Sequence, residues 1–317
     1  MSDKGTDDTA ERVIAALRKA PGYADASVTA AAIRRLGGLT NLVHRVALPG
    51  RAAVIVRIPG AGTEAYIDRR VELHNTRVAA RAGVAAPVLW GDAETGILIS
   101  ACIEDVVTMT PDAFRTRPGA PARAGAALRR LHEAPEPFEF RFELFGMIEN
   151  YLDLLSGKTV DLPEGYHDIV ARAEPVRALL AEHPATLRPC HCDPLCENFL
   201  DDGRRMWIVD YEYSGMNDPL WDLGDLSVEA GFTEAQDAEM LAAYFGRPPR
   251  PAERGRMVIY KAMCDLLWTL WGLIQHADGN PAEDFWAYSV QRFERCKALM
   301  NRPEFAAHLE AVRTGAD

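Results

Sequence analysis

Eleven consecutive residues, CHCDPLCENFL from Cys190 to Leu200, hold three thiols, an imidazole and the oxygen-bearing side chains of Asp193, Glu197 and Asn198. Thiols and imidazole suggest zinc. However, Cys190, His191 and Cys192 are adjacent, and neighbours on an extended chain point to opposite faces, so they converge poorly on one tetrahedral ion. No Cys-x-x-Cys pair supplies the remaining ligands. Read for oxygen instead, the stretch is His191-x-Asp193-x-x-x-x-Asn198, followed by Asp210 in IVDYEY. Asp202-Gly203 between them is a hairpin turn signal. Such a hairpin returns Asp210 to the open end where Asn198 starts, beside the loop carrying Asp193. Transfer of a phosphoryl group to a hydroxyl needs this set: hard oxygen ligands for Mg2+ and a carboxylate that takes the hydroxyl proton. Asn198 and Asp210 fit the metal role and Asp193 the base. The cysteines then read as small buried packing residues.

The loop resembles that of small-molecule kinases built on the protein-kinase fold, the aminoglycoside phosphotransferase and choline kinase superfamily. The segment IVDYEYSGMNDPLWDLGDLSVE is more similar still to choline and ethanolamine kinases, above all the bacterial choline kinases. That resemblance implies ATP and Mg2+ as cofactors and a small cationic amino alcohol as acceptor, with His191 a scaffold for the loop. It assigns Gly37, Gly38, Thr40 and Asn41 of LGGLTN to the phosphates and Arg57 of VIVRIPG to the position where most kinases place lysine. Glu72 would hold that cation, and backbone groups from Ser100 to Ile103 would meet adenine. On the acceptor side it points to Trp268 and Trp271 of LLWTLWGLIQ, Tyr288 of DFWAYSVQRF, Tyr213 and Glu212 of DYEYSG, and Glu229 of GDLSVEAG.

Each assignment has an ordinary alternative: a glycine turn, a surface ion pair of Arg57 with Glu72, a core-packed tryptophan pair at i, i+3. Leu195 departs from the polar residue common in eukaryotic relatives, which leaves the acceptor open among choline, ethanolamine, thiamine and aminoglycosides. A nucleotide-binding pseudokinase scaffold is the further alternative.

These side chains require two differently built lobes. From roughly residue 30 to 103, alternating apolar positions broken by Gly37-Gly38 and Pro49-Gly50 predict antiparallel strands, with one helix from Glu64 to Gly83. An earlier helix is predicted over Thr9–Lys19. Beyond Pro111 helical spacing dominates, with the hairpin NFLDDGRRMWIVDYEY as the one expected strand pair. The expected class is α+β, two-lobed and protein-kinase-like, with residues 1–104 as the nucleotide-binding lobe and 105–317 as the helical lobe.

The formal charge of -11 repels polyanions, so nucleic acid and anionic membranes are poor partners and a cation a good one. The longest apolar run, LLWTLWGLI, is nine residues against the roughly 20 a membrane helix needs, so no membrane span is expected. The N-terminal segment is acidic where a signal peptide would be basic, and the six cysteines are irregularly spaced; a cytoplasmic protein with reduced thiols is expected.

Overall fold

The computed structural model describes residues 4–37, 41–60 and 67–316. Its N-terminal part contains α1 (Lys4–Lys19), β1 (Ile33–Gly37), β2 (Asn41–Leu48), β3 (Arg51–Pro59), α2 (Arg69–Arg81), β4 (Val88–Gly91) and β5 (Leu98–Ala101). The five strands form one antiparallel sheet in the order β1-β2-β3-β5-β4. Alternation along β2 and β3 turns Val46, Leu48, Val54, Val56 and Ile58 to one face, where they bury Val13, Ala16 and Leu17 of α1. The α2 helix starts at Arg69, later than its charged pattern suggested, because the Asp68 carboxylate accepts the N–H groups of Arg70 and Val71 and caps it there. The earlier part of the predicted helix, Glu64 included, lies outside the described residues.

The chain leaves β5 and continues without helix or strand to β6 (Val107–Thr108). It then forms α3 (Pro111–Thr116), α4 (Ala120–His132), α5 (Leu144–Ser156), α6 (Tyr166–Glu182), α7 (Pro219–Glu229), α8 (Glu234–Phe245), α9 (Pro251–Ala277), α10 (Phe285–Met300) and α11 (Pro303–Thr314). The axis of this lobe is α9, 27 residues long. By length and composition it could cross a membrane, well beyond the nine-residue run; here 78% of its apolar window is buried. It is apolar nearly all round because α5, α7, α10 and α11 cover it. Gly272 permits the closest approach: a Cβ there would lie 2.3 Å from the Ser289 hydroxyl on α10.

Four short strands complete the lobe: β7 (Arg188–Cys190), β8 (Phe199–Asp201), β9 (Met206–Ile208) and β10 (Gly215–Asn217). The expected hairpin is β8–β9, but β6 joins it as a third strand, and β7 pairs with β10. Strands of two or three residues are too short for alternation to reveal. The hairpin turn spans four residues, with the Asp202 N–H donating to Arg205 O at 3.2 Å. The Asp202 carboxylate accepts the N–H groups of Arg204 and Arg205, both at 2.8 Å, and Gly203 supplies the left-handed φ of +84°, so both residues organise it.

Between β7 and β8 runs the loop from His191 to Asn198, anchored by Asp222 of α7. Its two carboxylate oxygens accept the backbone N–H groups of His191 at 2.6 Å and Cys192 at 2.9 Å, while His132 of α4 binds at 2.9 Å. Cys192 has φ +68°, a left-handed conformation that a cysteine adopts only when its surroundings hold it. Trp221 Nε1 donates to Cys192 O at 3.0 Å and the Ser214 hydroxyl to His191 O at 3.0 Å. Replacing Asp222 by alanine strands two buried N–H donors, so a loss of about 3 kcal/mol or more in urea unfolding is expected. Unfolding at the wild-type urea midpoint would show that the loop is held by other means.

Candidate active site

The β8–β9 pairing brings the separated parts of the motif together. Val209 N–H donates to Asn198 O at 2.9 Å, which puts Asp210 next to the loop's end. The Asn198 amide donates to Asp193 O at 3.0 Å, tying the loop across itself. With its N–H so used, Asn198 would offer a cation its oxygen. His191 bonds through Nε2 to Val209 O at 2.9 Å, and burial lowers its pKa, so it acts as a neutral strut. Asp193 titrates well above the usual carboxylate range: burial is the largest cause, and Glu229, Asp210 and Glu212 add like charge against the opposing Arg292.

The thiols around it are free and buried. Burial pushes Cys190, Cys192 and Cys196 above the ordinary thiol range, which favours the neutral thiol.

On the nucleotide-lobe side, Arg57 of β3 pairs with Glu72 of α2 and lies 3.5 Å from Asp210. Arg69 bonds Glu72 at 2.8 Å and reaches Glu212 at 3.5 Å; the Asn41 amide donates to Glu212 at 3.0 Å. The Arg57–Glu72 pair is therefore a buried one and not the surface pair that composition alone suggests. Burial disfavours the charge on Arg57, but Glu72, Asp210 and Glu212 more than restore it. Burial likewise works against the Glu72 carboxylate, and Arg57 and Arg69 hold it below its usual range.

Glu212 is expected at the acceptor end but sits with Asn41 and Arg69 of the N-terminal lobe. The cause is local: Asp210 is left-handed at φ +68°, and Ser214 N–H closes a turn on Tyr211 O at 3.2 Å. That turn separates neighbours, burying Tyr211, sending Glu212 to the first lobe and setting Tyr213 against Trp268. Glu72, Asp210 and Glu212 each offer an oxygen within 4.8 Å of the others. Three carboxylates against two guanidiniums leave surplus negative charge from hard donors, which fits a divalent ion such as Mg2+. Gly37 ends β1 at φ +152°, Asn41 opens β2, and Ile103 lies in the segment joining the lobes. Gly38 and Thr40 lie outside the described residues.

At the opposite end, Trp268 and Trp271 meet edge to face at 6.3 Å, Tyr213 packs on Trp268 at 5.9 Å and Tyr288 on Trp271 at 6.0 Å. Trp268 is buried, whereas Trp271, Tyr288 and Tyr213 are only partly covered. The cluster is thus half core and half rim. Two features escape the sequence reading. Arg292 bonds Glu229 at 2.5 Å and lies 4.5 Å over the Tyr288 ring, so an internal cation already occupies both groups. Its place four residues after Tyr288 was the available signal. Asp225 is buried, accepting the Cys264 thiol at 2.8 Å and Trp268 Nε1 at 3.4 Å. Asp222, Asp225 and Glu229 follow one another at i, i+3, i+7, a single helix face that could have revealed them as a set.

A family model described as "phosphotransferase enzyme family" matches residues 32–257. The chain belongs to that family. A crystal structure of a choline/ethanolamine kinase family protein from Mesorhizobium loti is 57% identical, with TM-score 0.88 over 96% of this chain and 99% of that one. Protein LicA of Haemophilus influenzae is 27% identical over 84% of this chain and 78% of its own length. A LicA structure in complex with AMP is 25% identical, with TM-score 0.73 over 95% of this chain and 98% of that one. The family membership makes this a small-molecule phosphotransferase of the choline/ethanolamine kinase type with a protein-kinase-like two-lobed fold.

The buried Arg57–Glu72 pair joins β3 to α2. Arg57→Leu leaves Glu72 to Arg69 alone in a buried setting, and a fall in Tm of about 6 °C or more is expected in thermal unfolding. An unchanged Tm would show that solvent replaces the lost guanidinium.

Proposed function

We propose that the protein transfers the γ-phosphoryl group of ATP, in the presence of Mg2+, to the hydroxyl of choline or a closely related amino alcohol such as ethanolamine. One observation supports this reading: the Asp193 carboxyl feels the charges of Asp210 and Glu212 from one cluster and of Glu229 and Arg292 from another, and the two clusters suit opposite ends of such a reaction. The Glu72, Asp210 and Glu212 carboxylates with Arg57 and Arg69 suit a metal–triphosphate, and the Trp268, Trp271, Tyr213 and Tyr288 rings suit an organic cation. The AMP-bound relative supports an adenine nucleotide, whose base would meet the connecting segment at Ile103. The printed names of the relatives support an amino-alcohol acceptor.

In this reaction Asp193 orients the acceptor hydroxyl and takes its proton as the hydroxyl oxygen bonds to the γ-phosphorus and the bond to the β-phosphate oxygen breaks. Arg57, fixed by Glu72, steadies phosphate oxygens through paired N–H donors. When bound, Mg2+ held by Asp210 with Asn198 and the adjoining carboxylates neutralises phosphate charge. A quaternary ammonium has no N–H to donate, so aromatic faces are its natural partners, each contributing about 0.5–2 kcal/mol. Several together discriminate against neutral sugars.

A panel of choline, ethanolamine, thiamine and an aminoglycoside, with ADP formation as readout, tests the acceptor. Turnover is expected on choline or ethanolamine and lost on chelation of divalent ions; turnover on the aminoglycoside alone would overturn the reading. Asp193→Asn is expected to keep ATP binding and lose about a hundredfold or more in kcat. The pH profile gives a second check. A base must be ionised, and the Asp193 pKa is raised, so kcat/KM falls as pH drops through a value above the ordinary carboxylate range. A rate that stays level down to about pH 4 would contradict the raised pKa of Asp193.

A further inference from the structure

Charges at the acceptor end do not balance internally. Glu229 has Arg292, which also lies 3.3 Å from Asp265, and Asp265 has Arg295 at 2.6 Å. Those two guanidiniums answer those two carboxylates. Asp225 is left with a thiol and an indole N–H, neither of which carries charge, although only 1% of it is exposed. The groups that face it are Glu229 on its own helix, Asp193 on the loop, Cys264 on α9 and Arg292 on α10. Burial, reinforced by Glu229 and Asp193, drives its carboxyl well above the usual range.

Buried without a cation, such a carboxyl either costs several kcal/mol as the anion or keeps its proton, and asparagine would fill the same volume more cheaply. Such a group makes sense if its counter-charge arrives from outside. The route is visible: Trp268, whose N–H points at Asp225, is also the ring on which Tyr213 and Trp271 pack. An anion accepting the indole N–H polarises the ring and makes its face more negative, and that face is what an ammonium group seeks.

We propose that Asp225, acting through Trp268 and through its own charge, is the carboxylate that selects a cationic acceptor, while Glu229 is committed to Arg292. The proposal rests on the amino-alcohol kinase reading and identifies a specificity-determining residue within it. Asp225 is a positioning group, not a catalytic one; Asp193 remains the proton acceptor.

Asp225→Asn tests this with two readouts, thermal unfolding and the ratio of kcat/KM for choline to that for 3,3-dimethylbutan-1-ol, its neutral isostere. Where the neutral alcohol is not phosphorylated, its inhibition constant replaces kcat/KM. Removing an uncompensated buried acid leaves Tm equal or higher. The choline preference is expected to fall by about tenfold or more, through KM rather than kcat, with the neutral alcohol unaffected. A variant that fails to fold, melts lower, or loses both alcohols in parallel would assign Asp225 a structural role and overturn the proposal. A wild type that turns over choline, with a variant that keeps its preference, sinks the proposal alone. A wild type inactive on choline and ethanolamine sinks the functional reading, and this inference with it.

Discussion

An excess of buried negative charge where the lobes meet is the constraint around which the rest is arranged. Near the first lobe, Glu72, Asp210 and Glu212 face the guanidiniums of Arg57 and Arg69 among the described residues. Near the aromatic cluster, Asp193, Asp225, Glu229 and Asp265 face Arg292 and Arg295. Desolvated carboxylates are stable only when protonated or matched by cations, and Asp193, Asp210 and Asp225 all titrate above their ordinary range for that reason. The protein therefore holds two incomplete charge sets on either side of one carboxylate. In the proposed reaction a divalent ion with a nucleotide would complete one and an ammonium group the other.

Holding such charges together requires a rigid frame, and each element of the second lobe contributes. The core helix α9 presents Trp268 and Trp271 one turn apart, and α7 aims three acids from one face. The first of these, Asp222, grips the loop's backbone, while Asp225 accepts from Trp268 of the aromatic cluster, so α7 ties both together with the same face. The first lobe contributes cations instead, from β3 and the start of α2. Because Arg57 touches Glu72 of its own lobe and Asp210 of the other, the pairing across the cleft depends on how the lobes sit.

What could be read from the chain follows physical range. His191-x-Asp193-x-x-x-x-Asn198 and Asp210 were legible because hairpin geometry converts their spacing into proximity. The antiparallel sheet and the long helices were legible because their periods repeat often enough to stand out. The α7 helix was not, because it is buried on nearly every side, with Asp222 and Asp225 of its acidic face among the buried residues. Strands β6, β7 and β10 are shorter than one readable repeat. Glu212 was placed on the wrong side because a left-handed Asp210 and the turn after it set its direction. Glu229 looked free for a ligand because its partner, Arg292, lies 63 residues away. Burial left Asp225 unread: without the fold, one aspartate among 46 acidic residues gives no sign of lacking a cation.

Anomalous diffraction from crystals soaked with Mn2+ and a non-hydrolysable ATP analogue tests the central claim most directly, because it locates the cation that the surplus charge requires. The charge arrangement predicts a peak within about 2.5 Å of the Asp210 carboxylate, next to the nucleotide phosphates. A peak at the Cys190–His191–Cys192 run, or nucleotide bound with no ion at Asp210, would contradict it.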